Sequence, residues 1–296
     1  MRDYNKSLPS TIFDIFNMLF MLALSFVFVA PVLHVLFASF SDPVELTSKT
    51  GIILWPSGFT LVGYRIIFSN NAILLGYVNS FIYLITGVTL STLLSFMAGY
   101  ALSRKNLLWR NVIMFLLAFT MFFSGGLIPF YRVVTKLGMY NTRWAVIVPT
   151  AVSPFFIIIM RTALQEIPPS LEESAKIDGA NHLTIMFKIL LPVSKATVAV
   201  IALFSGVFIW NNWFHPSIFL RDRDKFPLQL ILKEVLVEND TSTVTKSGMD
   251  INQSIDVYKR LVKYCTIVVS VFPVLCFYPF AQKYFVRGVM IGSIKG

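Results

Sequence analysis

The chain has 296 residues, of which 56% are hydrophobic and only 14% charged, where soluble domains carry about 25%. Its mean hydropathy is +0.71. These values exclude a soluble enzyme, a disordered chain and a nucleic-acid-binding module, and the net charge of +10 fits cations that flank membrane spans and meet anionic headgroups. Long charge-free runs separated by short charged patches predict an all-α, polytopic membrane protein.

The first run, Ile15–Ser41, is 27 residues long. A signal-peptide core has about 7–15 apolar residues, so this run reads as a retained first span despite Arg2 and Lys6 before it. A polar stretch, Asp42–Arg65, follows. The next run, Ile66–Ser103, has 38 residues. One span needs about 20, so this run holds the second span plus an apolar approach segment. Asn111–Tyr131 fits a third span. Trp144–Met160 fits a fourth, short at 17 residues and closed by Arg161, which can snorkel. After the polar stretch Gln165–Lys195, Ala196–Leu220 fits a fifth span and Tyr264–Gln282 a sixth. Residues 221–263 form a long polar loop between the last two. Cys265 and Cys276 are eleven residues apart in one run, about 16 Å along a helix. That exceeds disulfide reach, and both read as packing residues.

Catalytic chemistry is missing. His34, His182 and His215 are scattered, with no metal-ligand spacing, nucleophile elbow or phosphate loop. Phe123-Ser124-Gly125-Gly126-Leu127 contains the Ser-Gly-Gly of an ATP-cassette signature, but at the end of an apolar span small residues serve close packing or a break near Pro129. The six runs hold no acidic residue apart from Asp14 at the edge of the first. Ion-coupled carriers usually keep such groups inside their spans. Energy for any pumping must then come from a partner chain.

The segment Pro168 to Asn181 has marks at both ends. Pro168 and Pro169 stop the fourth span. Ser170 and Glu173 have the spacing of a capping box, and Glu172 and Glu173 suit the positive end of a helix dipole. Leu171, Ala175 and Ile177 are the apolar members, with Leu171 and Ala175 on one face. Gly179 offers a left-handed stop. The product is an amphipathic helix of about two turns, too short to be stable without something to dock on.

Here the chain resembles the permease subunits of binding-protein-dependent ABC importers. Their signature is Glu-Ala-Ala, three residues, Gly, nine residues, then Ile-x-Leu-Pro. This chain has Glu173-Ser174-Ala175, Gly179 and Ile189-Leu190-Leu191-Pro192, with every spacing kept and Ser174 replacing the first Ala. Ala98-Gly99-Tyr100-Ala101-Leu102-Ser103-Arg104-Lys105 and Trp210-Asn211-Asn212-Trp213 resemble the carbohydrate-uptake branch. Gly125–Pro129, Asn141–Ala145 and Arg221–Leu230 resemble the subset near the maltose permease MalG that includes LplC and YtcP.

The resemblance implies a type I ABC importer permease fold with six transmembrane helices and both termini cytoplasmic, residues 1–296 forming one domain in the bacterial cytoplasmic (inner) membrane. Charge bias between the loops decides little, so this orientation rests on the motif. The segment 168–192 becomes a cytoplasmic coupling segment seated on an ATPase. Its residues are Leu171, Glu172, Glu173, Ser174, Ala175, Ile177, Asp178, Gly179, Ala180, Ile189, Leu191 and Pro192, with Glu173 facing a basic residue of the ATPase. The implied partners are a second permease in a heterodimer, two ATPase subunits that carry the ATP and Mg, and an extracytoplasmic solute-binding protein; the loop 221–263 lies on that protein's side in this topology, and the alternatives for it are a contact with the binding protein or a solvated loop. This chain itself binds no cofactor. Sugars are held by aromatic faces, amides and hydroxyls, which makes Tyr77, Asn79, Tyr83, Trp210 and Asn211 the candidate substrate residues. The expected function is ATP-driven import of sugars, oligosaccharides foremost. The rivals are the same fold importing a non-sugar solute and, further off, an ion-coupled carrier or an intramembrane enzyme.

Overall fold

The structure, a computed structural model, describes residues 8–237 and 258–276, and among them every regular element is a helix. α1 (Leu8–Ser39), α2 (Pro43–Ser48) and α3 (Val62–Phe68) precede the long α4 (Asn71–Ser103). α5 (Arg110–Phe122), α6 (Leu127–Lys136), α7 (Trp144–Ile147) and α8 (Pro154–Gln165) follow. α9 (Pro169–Ile177), α10 (His182–Thr184), a π-helical turn (Ile185–Leu190) and α11 (Leu191–Val193) lead into α12 (Lys195–Asn211), α13 (Phe214–Phe219) and α14 (Leu228–Val237). A last helix, α15, covers 258–276. Residues 238–257 of the predicted polar loop and the end of the sixth predicted span lie outside the described residues.

The described helices group into two compact units, one built from residues 8–71 with 235–237 and 258–271 and the other from residues 72–234 with 272–276. In the first, His34 ties α1 to two other segments. Its Nδ1 accepts the Ile53 N–H at 2.8 Å, which leaves the ring proton on Nε2 for Tyr264 Oη at 3.3 Å. Cys265 donates its thiol to the Ser39 carbonyl at 3.2 Å. Gly63 lets α3 lie close to α15, because a Cβ there would sit 2.5 Å from Cys265 Sγ. Cys276 is exposed, so the packing role expected of both cysteines holds for Cys265 alone.

In the second unit α4 is the central element. Every fourth residue from Asn79 to Ser103 is buried: Asn79, Tyr83, Gly87, Ser91, Ser95, Gly99 and Ser103. Successive residues at this spacing are neighbours on the helix surface, and the row they form winds slowly round α4; its glycines and serines let neighbouring helices approach closely. A Cβ on Gly87 would meet Ile209 Cδ1 at 2.8 Å, and one on Gly99 would meet Met160 Cγ at 2.7 Å and the Arg161 nitrogen at 3.0 Å. We expect Gly99→Val to force α4 and α8 apart at about 1–3 kcal/mol, the usual cost of overpacking. It should lower both the thermal midpoint in detergent and the amount of chain in the membrane.

The predicted spans differ from these helices in instructive ways. The second run is filled almost whole by the 33-residue α4, and α3, which starts upstream at Val62, reaches only three residues into it, so no separate approach segment is set off within the run. The third is not a single helix. It breaks at Ser124–Gly126, and α5 meets α6 at 117°. Gly126 takes φ +85°, which only glycine adopts readily, and Pro129 lies in the first turn of α6, where its missing N–H costs nothing. The fourth bends by 43° around Val148–Thr150 and restarts at Pro154. It then runs on to Gln165, so that Arg161 sits inside a helix. The fifth ends early: α12 stops at Asn211, and Phe214–Phe219 forms a separate turn. Upstream, α12 makes an 82° bend with His182–Val193. Among the described residues two helices are long and apolar enough to cross a membrane, or up to five if each bent pair is one span.

Candidate functional site

α9 begins two positions earlier than a capping box at Ser170 requires. Pro168 is the N-cap, Pro169 the first helical residue, and no side chain caps the end. Proline at the first position needs no partner for a missing N–H, so it starts the helix and places Ser170 inside the first turn. The C-terminus has the expected form. Gly179 takes φ +80°, its N–H bonds the Lys176 carbonyl at 3.0 Å, and the Ala180 N–H bonds the Ala175 carbonyl at 2.9 Å. These two bonds make a Schellman stop. Ala180 packs beside Ala175 in a buried cluster with Phe96, Tyr100, Met160, Leu164, Ile185, Met186 and Leu190.

The inward face of α9 is Glu172 and Ala175, so Leu171 and Ala175, which the spacing puts on one face, have different surroundings. Leu171 is 40% exposed and Ile177 86% exposed. Glu173, Ser174, Asp178 and Gly179 also face out. α9 therefore offers an apolar-and-acidic surface and keeps one carboxylate inside. Ile189 and Leu191 pack on the buried cluster, and Pro192 is exposed. A cleft of about 560 Å³ opens between the end of α8, Ser170, Leu171 and Ser174 of α9, and the start of α12.

Glu172 is 7% exposed. Its Oε2 meets Arg104 Nη1, and its Oε1 makes no hydrogen bond and meets Lys176 Nζ at 3.4 Å. The Arg104 guanidinium lies 4.7 Å from the centre of the Tyr100 ring, and its Nε donates to Ser103 Oγ at 3.0 Å. Tyr100 Oη and His182 Nδ1 are 3.0 Å apart. The last turn of α4, the first turn of α9 and α10 thus meet in one polar knot. Burial lowers the Arg104 pKa from its usual value, and the charge interaction with Tyr100 opposes it.

A second polar cluster lies toward the other end of α4. Asn79 is fully buried. Its Nδ2 donates to the carbonyls of Asp224 at 2.7 Å and Phe226 at 3.1 Å, and its Oδ1 accepts Arg143 Nη2 at 2.9 Å. Tyr83 Oη donates to the Lys225 carbonyl at 2.7 Å, and Ser80 Oγ accepts the Leu228 N–H at 2.9 Å. Asn141 adds to this from a left-handed position at φ 57°. Its Oδ1 accepts the N–H groups of Arg221 and Asp222, and its Nδ2 donates to Asp222 Oδ2 at 2.9 Å. Hydrogen bonds from Lys225 first, then Asn141, hold the Asp222 carboxyl below the usual carboxylate range.

Of the five substrate candidates, Asn79 and Tyr83 have their polar atoms engaged inside this cluster. Trp210 is buried against Phe81, their rings crossing edge to face, and Tyr77 stacks on the same Phe81. Asn211 is exposed and donates to the Val207 carbonyl one turn back. The five are thus not brought to one surface. The residues missed by sequence reasoning are Arg104, Tyr100, His182 and Arg143. Tyr100 and Arg104 stand in a stretch singled out for its resemblance, but nothing in that stretch marks them as partners of Glu172, whose burial only the fold reveals.

Residues 91–291 match the family described as binding-protein-dependent transport system inner membrane component. The chain is 40% identical over 289 residues to the polygalacturonan/rhamnogalacturonan transport system permease protein YtcP of Bacillus subtilis (strain 168), covering 98% of this chain and 100% of that one. It is 36% identical over 285 residues to protein LplC of the same organism, covering 96% and 95%. Among solved structures, it superposes with a TM-score of 0.86 on a chain of a bacterial ABC transporter involved in the import of the acidic polysaccharide alginate. That match has 29% identity and covers 96% of this chain and 100% of the other.

Proposed function

The chain belongs to the family of binding-protein-dependent transport system inner membrane components, and from that premise we propose that it is the permease subunit of an ATP-driven oligosaccharide importer. The observation that carries this is the end-to-end likeness to YtcP, 40% over nearly the whole of both chains, with the alginate transporter chain agreeing in fold. It is a transport subunit and not an enzyme; ATP hydrolysis belongs to separate ATPase chains.

In this reading the two units together form one permease domain with six spans and both termini in the cytoplasm. The two polar clusters of α4 support the topology. Asn79 and Arg104 are 25 residues apart, about 37 Å along a helix, and bracket an apolar stretch near the thickness of a hydrocarbon core, about 30 Å. The Asn79 cluster then faces outward, toward the binding protein, with segment 221–228 held against α4. The Glu172 knot faces the cytoplasm. There the exposed Leu171, Glu173 and Ile177 and the cleft beside Leu171 supply a surface for an ATPase subunit. A second permease, in a heterodimer, completes the pathway.

ATP closure of the ATPase pair favours one of two packed arrangements of the helices, and the coupling segment carries that preference into the membrane. The test is uptake by proteoliposomes that hold the whole complex with its binding protein, offered labelled galacturonan and alginate fragments. Uptake should require both ATP inside the ATPase compartment and the ATPase subunits. Uptake that persists without the ATPase subunits would overturn the importer reading, and a non-sugar ligand on the copurified binding protein would overturn the solute class.

A further inference from the structure

α9 carries adjacent carboxylates with opposite surroundings. Glu173 is exposed, whereas Glu172 is buried and ion-paired to Arg104, just past the end of α4. We infer that Glu172 and Arg104 are positioning residues that bind the coupling helix to the inner end of α4, so that α9 and α4 move as one body; this rests on the coupling reading above.

Four observations converge on the pair. Arg104 is fixed from three sides, by the Tyr100 ring, by Ser103 Oγ and by Glu172. Tyr100 is in turn held by His182, beyond the Gly179 stop, so α4 grips the coupling segment on both sides of that turn. Glu172 is turned away from any partner that docks on the outer face of α9. Finally, a partly desolvated ion pair resists separation, because parting it would leave a buried carboxylate with only Lys176 at 3.4 Å. At its other end α4 holds the 224–228 segment through Asn79, Ser80 and Tyr83. A push on α9 therefore reaches the outer polar cluster along one helix, besides reaching α8 and α12 through the chain itself.

The experiment replaces the pair by a removable covalent tie. Arg104→Cys with Glu172→Cys is made in a chain also carrying Cys265→Ser and Cys276→Ser, and the whole importer is reconstituted in liposomes. The readout is ATP turnover of the complex against that of the ATPase subunits alone, which needs no solute. In the serine-only parent the permease alters turnover. In the reduced double-cysteine variant that influence should fall toward nothing. A short bifunctional thiosulfonate joining the two cysteines should restore it to within about twofold of the parent, and reductant should remove it again, as expected for a two-state body that needs a rigid joint. A merely local fault in α9 would not be repaired by the tie. The inference is overturned if the joined form is no better than the reduced one, or if the reduced form already matches the parent. Should a Gly179→Val complex behave as the parent does, the coupling reading itself has failed, whatever the tie does.

Discussion

Gly179→Val abolishes ATP-driven uptake while the chain still inserts and assembles. The reason is conformational and not steric. A Cβ at Gly179 would meet nothing within 4 Å, but the residue sits at φ +80°, where the Schellman stop needs it. A β-branched residue in that region is a strained outlier, costing on the order of 1–3 kcal/mol. The chain escapes by leaving the left-handed region. That breaks the Ala180 bond to Ala175 and redirects the segment that carries His182 and Ile185. α9 then keeps its own turns but loses its fixed angle to the rest of the unit. Asparagine tolerates the left-handed region far better, so Gly179→Asn should keep most of the uptake, whereas Gly179→Val should fall below about a tenth, a change that only about 1.4 kcal/mol of coupling suffices to produce. Equal uptake by the valine and asparagine variants would show that the turn does not matter to transport.

The motif around α9 was readable because its punctuation is local. Pro169, Gly179 and the apolar positions act within a few residues of themselves, so their spacing alone locates a short helix and its end. What escaped was orientation. Whether Leu171 or Glu172 faces inward depends on Arg104, nearly 70 residues upstream, and a lone helix gives no sign of it. Hydropathy marked the apolar runs well but not their breaks. Gly126 and the stretch around Val148–Thr150 interrupt helices inside runs that carry no charge, so a count of charge-free residues passes over them. The substrate candidates are a different case. Asn79 and Tyr83 have the groups that bind sugars, but the same groups satisfy backbone carbonyls, and the carbonyls of 224–226 lie nearly 150 residues away. Asn141–Ala145 and Arg221–Leu230, two stretches noticed only as resemblances, turn out to be partners in that one cluster.

That contrast leads to the second large effect. Asn79→Leu should destabilise the chain in the absence of any sugar. Leucine has a similar volume and suits the membrane, so a residue that served only to touch solute would be replaced at no cost to the fold. Here the amide satisfies the carbonyls of Asp224 and Phe226 and accepts from Arg143, and leucine can do none of these. Two part-buried acceptors lose their partner, each worth about 1–3 kcal/mol when left unsatisfied, for a total on the order of 2–6 kcal/mol. Tyr83→Phe removes one donor, to the Lys225 carbonyl, and should cost about 1 kcal/mol. The measurement is the fraction of chain that stays monodisperse after heating in detergent without solute, read beside the solute concentration at half-maximal uptake for whatever protein assembles. The cluster predicts a lower midpoint temperature for Asn79→Leu, a smaller drop for Tyr83→Phe, and an unchanged half-saturating concentration in both. An unchanged midpoint with a half-saturating concentration raised tenfold would instead return Asn79 to the sugar pathway and make the carbonyl bonds incidental to the fold.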